Sequence, residues 1–275
     1  MARRFEFFGS YTSFAFEAET IAYMNAIGIA DDSTIYYSGT PQQITGNGLW
    51  LAVNDFFLES KPNTWYTKCN SLHPYIGGTA DRHKYNALNP IDSDVAFRET
   101  YFGGWTHNEL GIIGNGVNGY TNTHYKSSLN QTFNNGGFYI YNRTNNARAD
   151  YDIGNVSDAN KNVLVIKSSD NRLYYNAFGS GYSPLPNTDA RGGYLVSWDS
   201  SNSYMYKNGN IFQTRVKLAF STINEYTVGW AVGQPTFNNR NYSFRAMFTQ
   251  GLTVTEQADF HTAVQNLQIA LNRAV

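Results

Sequence analysis

The chain runs to 275 residues, 41% of them hydrophobic, long enough to bury one large core. Only 15% are charged against 16% aromatic, and 20 Lys+Arg set against 21 Asp+Glu leave a net charge of −1, which removes the electrostatic case for a nucleic-acid partner. One cysteine, Cys69, excludes an internal disulfide and an all-cysteine zinc site, and no run approaches the roughly 18 apolar residues of a membrane-spanning helix.

Residues 1–16 carry Phe5, Phe7, Phe8, Tyr11, Phe14 and Phe16 behind Arg3 and Arg4. The apolar run is too short and too interrupted for a secretory signal, and its spacing sustains no helical stripe. A segment this aromatic needs a surface to cover it, on its own domain or on a neighbouring molecule, and it reads as an attachment arm against another subunit or another protein of the assembly. Residues 17–75 read as a short helical region. The first helix spans 17–27, with Ile21, Met24 and Ile27 on one side and Gly28 as its stop. The second spans 49–58, burying Leu49, Val53, Phe56 and Phe57 before Pro62, and a helical turn or two over 65–72 follows Asn63.

From residue 76 to 249 the pattern is β throughout, with aromatic and β-branched runs separated by Gly, Asn, Asp and Ser. The clearest hairpin is 204–212, where Asn208-Gly209 suits a type I′ turn. The spacing predicts a mostly β, antiparallel jelly-roll sandwich over 76–275. A closing helix over 253–273 begins at a capping box of Thr253 and Glu256. It points Phe260, Val264, Leu267 and Leu271 at the sheet and leaves Gln257, Gln265, Gln268 and Asn272 to water.

Catalytic chemistry is thin. A retaining glycosidase needs two carboxylates about 5–5.5 Å apart, and the Glu-x-Asp-x-x-Glu strand that jelly-roll glucanases use is absent. The closest acidic pairs are Asp150/Asp152 and Asp92/Asp94, the second reading as an Asx turn with calcium as the alternative. His73, His83, His107, His124 and His261 show no pair at metal-ligand spacing, so neither metal nor cofactor is expected. What remains is aromatic and amide chemistry: rings stack on the apolar faces of sugars while Asn forks onto hydroxyls. Trp105, His107, Asn118 and Tyr120 flank the glycine-rich stretch 111–120, read as a loop, and form the candidate ligand-contact patch.

The stretches 73–80, 83–86, 89–94 (Asn-Pro-Ile-Asp-Ser-Asp), 96–98, 103–107 (Gly-Gly-Trp-Thr-His) and 115–120 (Asn-Gly-Val-Asn-Gly-Tyr) together resemble a concanavalin A-like, laminin-G-like family of jelly-roll proteins. Its members occur in virions of tailed bacteriophages, including those of Bacteroidetes, and in prophage regions. The resemblance covers about residues 45–275, and the closing segment Gly251-Leu252-Thr253 through Arg273 is similar to the family's terminal helix. It departs at Asn272, where related chains often carry a glycine stop, and in the first 16 residues. The resemblance implies a virion structural protein of lectin-like fold, decorating a capsid or forming part of a fibre or tail. Its expected partners are other virion proteins and further copies of itself in a homo-oligomer, with glycans as ligands. It brings no catalytic residues. A carbohydrate-binding adhesin is the alternative, and a glucanase-like enzyme rests on fold analogy alone.

Overall fold

The computed structural model describes residues 16–30, 36–37, 44–132, 134–157, 160–179, 183–217, 225–230 and 236–275. Phe5, Phe7, Phe8, Tyr11 and Phe14 of the expected arm lie outside them. The N-terminal part holds helix α1 (Ala18–Ala26), the paired two-residue strands β1 (Tyr36–Tyr37) and β2 (Ile44–Thr45), helix α2 (Gly46–Ser60), strand β3 (Cys69–His73) and a turn of helix, α3 (Ala80–His83). Next come β4 (Thr100–Phe102), β5 (Trp105–Asn108), β6 (Gly111–Gly114), β7 (Tyr120–Lys126), the short α4 (Ser127–Asn130), β8 (Gly136–Asn142), β9 (Ile153–Ser157) and β10 (Asn160–Val165). The chain continues through β11 (Arg172–Gly179), β12 (Ser183–Pro186), β13 (Gly192–Trp198), β14 (Asn202–Lys207), β15 (Asn210–Val216), β16 (Glu225–Val228), β17 (Asn241–Phe248) and helix α5 (Val254–Ala270).

Two antiparallel sheets face each other. One runs β12-β11-β10-β9-β16-β7-β4; the other runs β15-β14-β13-β8-β17-β6-β5, with β3 added beside β17. Between them lie Phe138, Ile140, Val196, Trp198 and Met247 from the second sheet and Tyr125, Ile153, Leu164, Tyr175 and Tyr226 from the first. The opposite face of the second sheet is equally dry. Tyr139, Tyr141, Leu195, Phe244 and Phe248 meet Leu49, Val53, Phe56 and Phe57 of α2 and Phe260, Val264, Leu267 and Leu271 of α5. Alternate residues of β8 therefore enter two different cores, which is why this strand reads as a continuous apolar run. The antiparallel sandwich with its closing helix is the architecture expected from the strand spacing.

Local expectations fared unevenly. Asn208 and Gly209 adopt φ of 49° and 76°, the positive pair of a type I′ turn. The capping box closes as expected, the Thr253 hydroxyl accepting from the Glu256 amide while the Glu256 carboxylate takes the Thr253 N–H. In α1, however, Ile21 is 42% exposed and Tyr23 joins Met24 and Ile27 in the core, because the helix turns that side to α2. The stretch 65–72 is not a helix: a single 3-10 turn, Tyr66–Lys68, gives way to β3, drawn into the sheet by pairing with β17. On α5, Gln257 and Gln268 are buried rather than wet. Gln257 donates to the carbonyls of Gly209 and Val254, so its amide joins the helix to the 208–209 turn. Asn272 takes the place of the missing glycine stop, with φ of 53°, and sends Arg273 inward, where it donates to the carbonyls of Pro74, Tyr75 and Ser243.

Phe16 rests on Trp50 of α2, ring centroids 5.1 Å apart, and so packs on its own chain. Asp92 and Asp94, read as an Asx turn, instead form ion pairs: Asp92 with Lys84 (2.9 Å) and Arg98 (2.8 Å), Asp94 with Arg98 (2.7 Å).

Candidate functional site

The sheets exchange the chain at one corner, where β4 ends in Phe102 and Gly103-Gly104 carries it into β5. The stretch 111–120, expected as a loop, divides: Gly111–Gly114 is strand β6, and only 115–119 turns, before β7 opens at Tyr120. That turn is built on one side chain. Asn115 Oδ1 accepts from the amides of Val117, Asn118 and Gly119 at 2.9–3.1 Å, and Asn115 Nδ2 donates to Asn118 Oδ1 at 2.8 Å. Asn118 Oδ1 also accepts the Gly104 N–H at 3.0 Å, locking the turn to the corner. Gly103 permits the contact; its φ is +68° and a Cβ there would lie 2.0 Å from the Asn118 carbonyl oxygen. Arg148 supports the turn from the side, donating to the carbonyls of Gly116 and Phe237 while its Nε pairs with Asp150.

Beside this fixed turn the outer face of the β4/β7/β16 sheet carries an aromatic array. Phe102 and Tyr120, cross-strand partners, stack at 4.8 Å and 12°. Trp230 and Phe237 stack at 5.7 Å and 13°. Tyr120 joins the two pairs, with Trp230 at 4.9 Å and a 50° tilt. The result is a bent platform of four rings, partly exposed, next to the exposed amides of Asn115 and Asn118. Such a surface offers flat apolar faces beside fixed hydrogen-bonding groups and little charge, the chemistry that accepts a sugar ring edge-on to polar donors and face-on to carbon.

Of the four residues read from the sequence, Asn118 and Tyr120 meet on this platform. Trp105 lies beneath it, its ring carbons 3.0 Å from where a Cβ on Gly229 would stand, and supports it from inside. His107 turns away, its ring against Tyr101 at 4.5 Å and its Nδ1 3.0 Å from Nδ1 of His83. His83 Nε2 accepts the Gly78 N–H, so its proton sits on Nδ1 and is donated to His107. Burial holds both rings neutral: the His83 pKa lies well below the ordinary histidine value, and that of His107 falls to about 4. The pair has no third donor, since no cluster of three His, Cys, Asp or Glu suited to a metal exists among the described residues.

Phe102, Trp230 and Phe237 escaped the sequence reading. Phe102 stands directly before the Gly103-Gly104 corner, which was a signal. Trp230 and Phe237 come from far along the chain and join Tyr120 only through the pairing of β16 with β7.

No family model matches the chain, and no curated protein matches it. Several solved structures share its fold. Domain 4 of AbnA, a GH43 extracellular arabinanase from Geobacillus stearothermophilus, is similar with a TM-score of 0.51 at 12% identity, over 70% of this chain and 98% of that one. A Trypanosoma rangeli sialidase mutant gives 0.56 at 9% identity over 80% of this chain and 38% of the enzyme. The botulinum neurotoxin DC binding domain gives 0.52 at 11% over 74% of this chain and 53% of that one. What these likenesses establish is the fold, a jelly-roll-like antiparallel β-sandwich of two sheets.

Proposed function

We propose that this chain is a glycan-binding surface module of a bacteriophage virion, a structural protein whose β-sandwich displays the aromatic platform outward. The observation that carries the binding role is the stacked array Phe102–Tyr120 and Trp230–Phe237 beside the amide-locked turn 115–119. The fold serves sugar recognition elsewhere: the arabinanase domain was solved with arabinotriose and the neurotoxin DC binding domain with SialylT. The virion setting is supported by the resemblance of the segments between 73 and 120 to phage jelly-roll proteins. In this reading the aromatic segment before Phe16 attaches the module to its particle.

Binding without hydrolysis fits the fate of the carboxylates. Asp152 is buried against Arg240 at 2.7 Å, Asp150 is held by Arg148, and Asp92 and Asp94 are tied to Lys84 and Arg98, which leaves none of these acidic pairs poised over the platform. The test is a glycan array on the purified chain, followed by titration calorimetry of Tyr120→Ala and Trp230→Ala against the best hit. At about 0.5–1.5 kcal/mol for each lost ring contact, affinity should fall roughly two- to tenfold per substitution. An empty array, or binding that ignores both substitutions, overturns the platform. Mass spectrometry of purified phage particles tests the virion setting separately.

A further inference from the structure

We infer that Arg148 makes the aromatic platform selective for acidic glycans, by binding the carboxylate of a sugar whose ring lies on the platform. This deepens the glycan reading and rests on it.

Arg148 ties the two halves of the site together. Its Nη2 donates to the carbonyl of Phe237 at 3.0 Å and to that of Gly116 at 3.5 Å, so one guanidinium joins the segment that carries the Phe237 ring to the turn that abuts Tyr120. Gly116 lets it come close; the backbone there has φ of +71°, and a Cβ would stand 3.3 Å from Arg148 Nη2. On its other edge Arg148 Nε pairs with Asp150 at 2.8 Å. A guanidinium fastened at two of its three nitrogens has lost its rotamer freedom on folding, and a ligand that binds it costs little further entropy.

The third nitrogen is left for a ligand. None of the bonds Arg148 makes among the described residues uses Nη1, and Nη1 is not a buried atom. The Arg148 side chain is 36% exposed while that of Asp150 is 5% exposed, so the ion pair keeps its carboxylate inside and turns its cationic end outward. Asp152, two residues further on, is buried against Arg240 and adds no exposed anion to repel an acidic ligand. Neutral hydroxyls are already served by the amides of Asn115 and Asn118; what an exposed, fixed guanidinium adds is a charge-assisted bond to a carboxylate, roughly twice as strong as a neutral one. Hexuronic and sialic acids both carry a carboxylate on the edge of a ring whose face can still stack on an aromatic side chain.

The experiment is a glycan array on the full chain with neutral, hexuronate-containing and sialylated arms. Titration calorimetry then sets the best acidic hit against the same glycan with its carboxylate reduced to the alcohol. The acid should bind roughly ten- to a hundredfold more tightly than its reduced form, with the advantage shrinking as salt is raised, and the arm that binds names the sugar. In Arg148→Gln this preference should disappear. Any loosening of the turn in that variant weakens both glycans alike, so the ratio reads the charge rather than the fold. Binding confined to neutral glycans, a wild-type chain without preference for the acid, or a preference that survives Arg148→Gln would each overturn the inference and leave the platform standing. An array without any binding would overturn both.

Discussion

Arg245 donates its Nε to Glu99 Oε1 at 2.6 Å, and neither side chain reaches solvent. The pair joins the β17 strand to the segment leading into β4, 146 residues away. The hydroxyls of Tyr75 and Tyr101 also donate to Glu99, at 2.9 Å each, and Arg245 reaches Ser71 Oγ at 3.1 Å. Tyr75 accepts a positive φ of 46° to take part, a conformation a bulky residue holds only when its surroundings impose it.

Breaking this pair from one side strands a buried charge. Glu99→Gln is expected to lower the unfolding free energy by about 3–5 kcal/mol, read from urea denaturation followed by tryptophan fluorescence. A loss below about 1 kcal/mol would show that water relaxes into the site and that the hub does not organise the fold.

Acid should weaken the protein before its carboxylates titrate. Burial holds His107 and His261 near pKa 4 and His73 and His83 well below the ordinary value. These rings are neutral in the fold, while the unfolded chain takes up protons below about pH 6.5. The stabilisation is therefore complete above pH 6.5 and declines between pH 6.5 and 4, by about 1.4 kcal/mol per pH unit for each full proton of difference. The carboxylates lowered to about 2, Asp189 and Glu256, add their loss only at lower pH. Urea midpoints at pH 7, 5.5 and 4.5 measure the slope. A flat profile over this range contradicts the assignment of neutral buried histidines.

The closing helix is expected to be indispensable. Phe260 is fully buried with its ring edge-on to Tyr139, Trp65 and Phe248 at 4.8–5.0 Å. Phe260→Ala should cost about 3–5 kcal/mol, and removal of residues 252–275 should give insoluble protein. Soluble truncated protein with an unchanged melting temperature would mean that α5 contributes nothing to the core.

Asn115→Ala removes one acceptor from three amides and so unties the turn that abuts Tyr120. An expected loss of about 1–3 kcal/mol in stability should come with weaker glycan binding, even though Tyr120 is untouched. Retained affinity alongside lowered stability would separate the turn from the platform.

Chelation should leave the thermal midpoint where it was. Asp92 and Asp94 have Lys84 and Arg98 as counter-charges, so a calcium ion would have to displace them. Differential scanning fluorimetry with and without EDTA decides this, and a fall of several degrees reversed by calcium would restore the metal reading.

The antiparallel sandwich, the 208–209 turn and the Thr253–Glu256 cap were legible in the sequence because each depends on residues within a few positions of one another. Local φ preference sets the turn, and a hydroxyl and a carboxylate three residues apart set the cap. Half of the candidate patch was legible for the same reason, since Asn118 and Tyr120 lie two residues apart, at the end of a turn and the start of β7. What the tertiary structure decided is everything that crosses the chain. Strand β3 formed where a helical turn was expected because β17 offered it a ladder. Gln257 went inside because the 208–209 turn received its amide. Phe102, Trp230 and Phe237 reached Tyr120 through strand pairings that no local period encodes, and Glu99 found Arg245 across 146 residues. Side-chain burial is a property of the partner surface as much as of the residue, and the partner surface exists only once the sheets have closed.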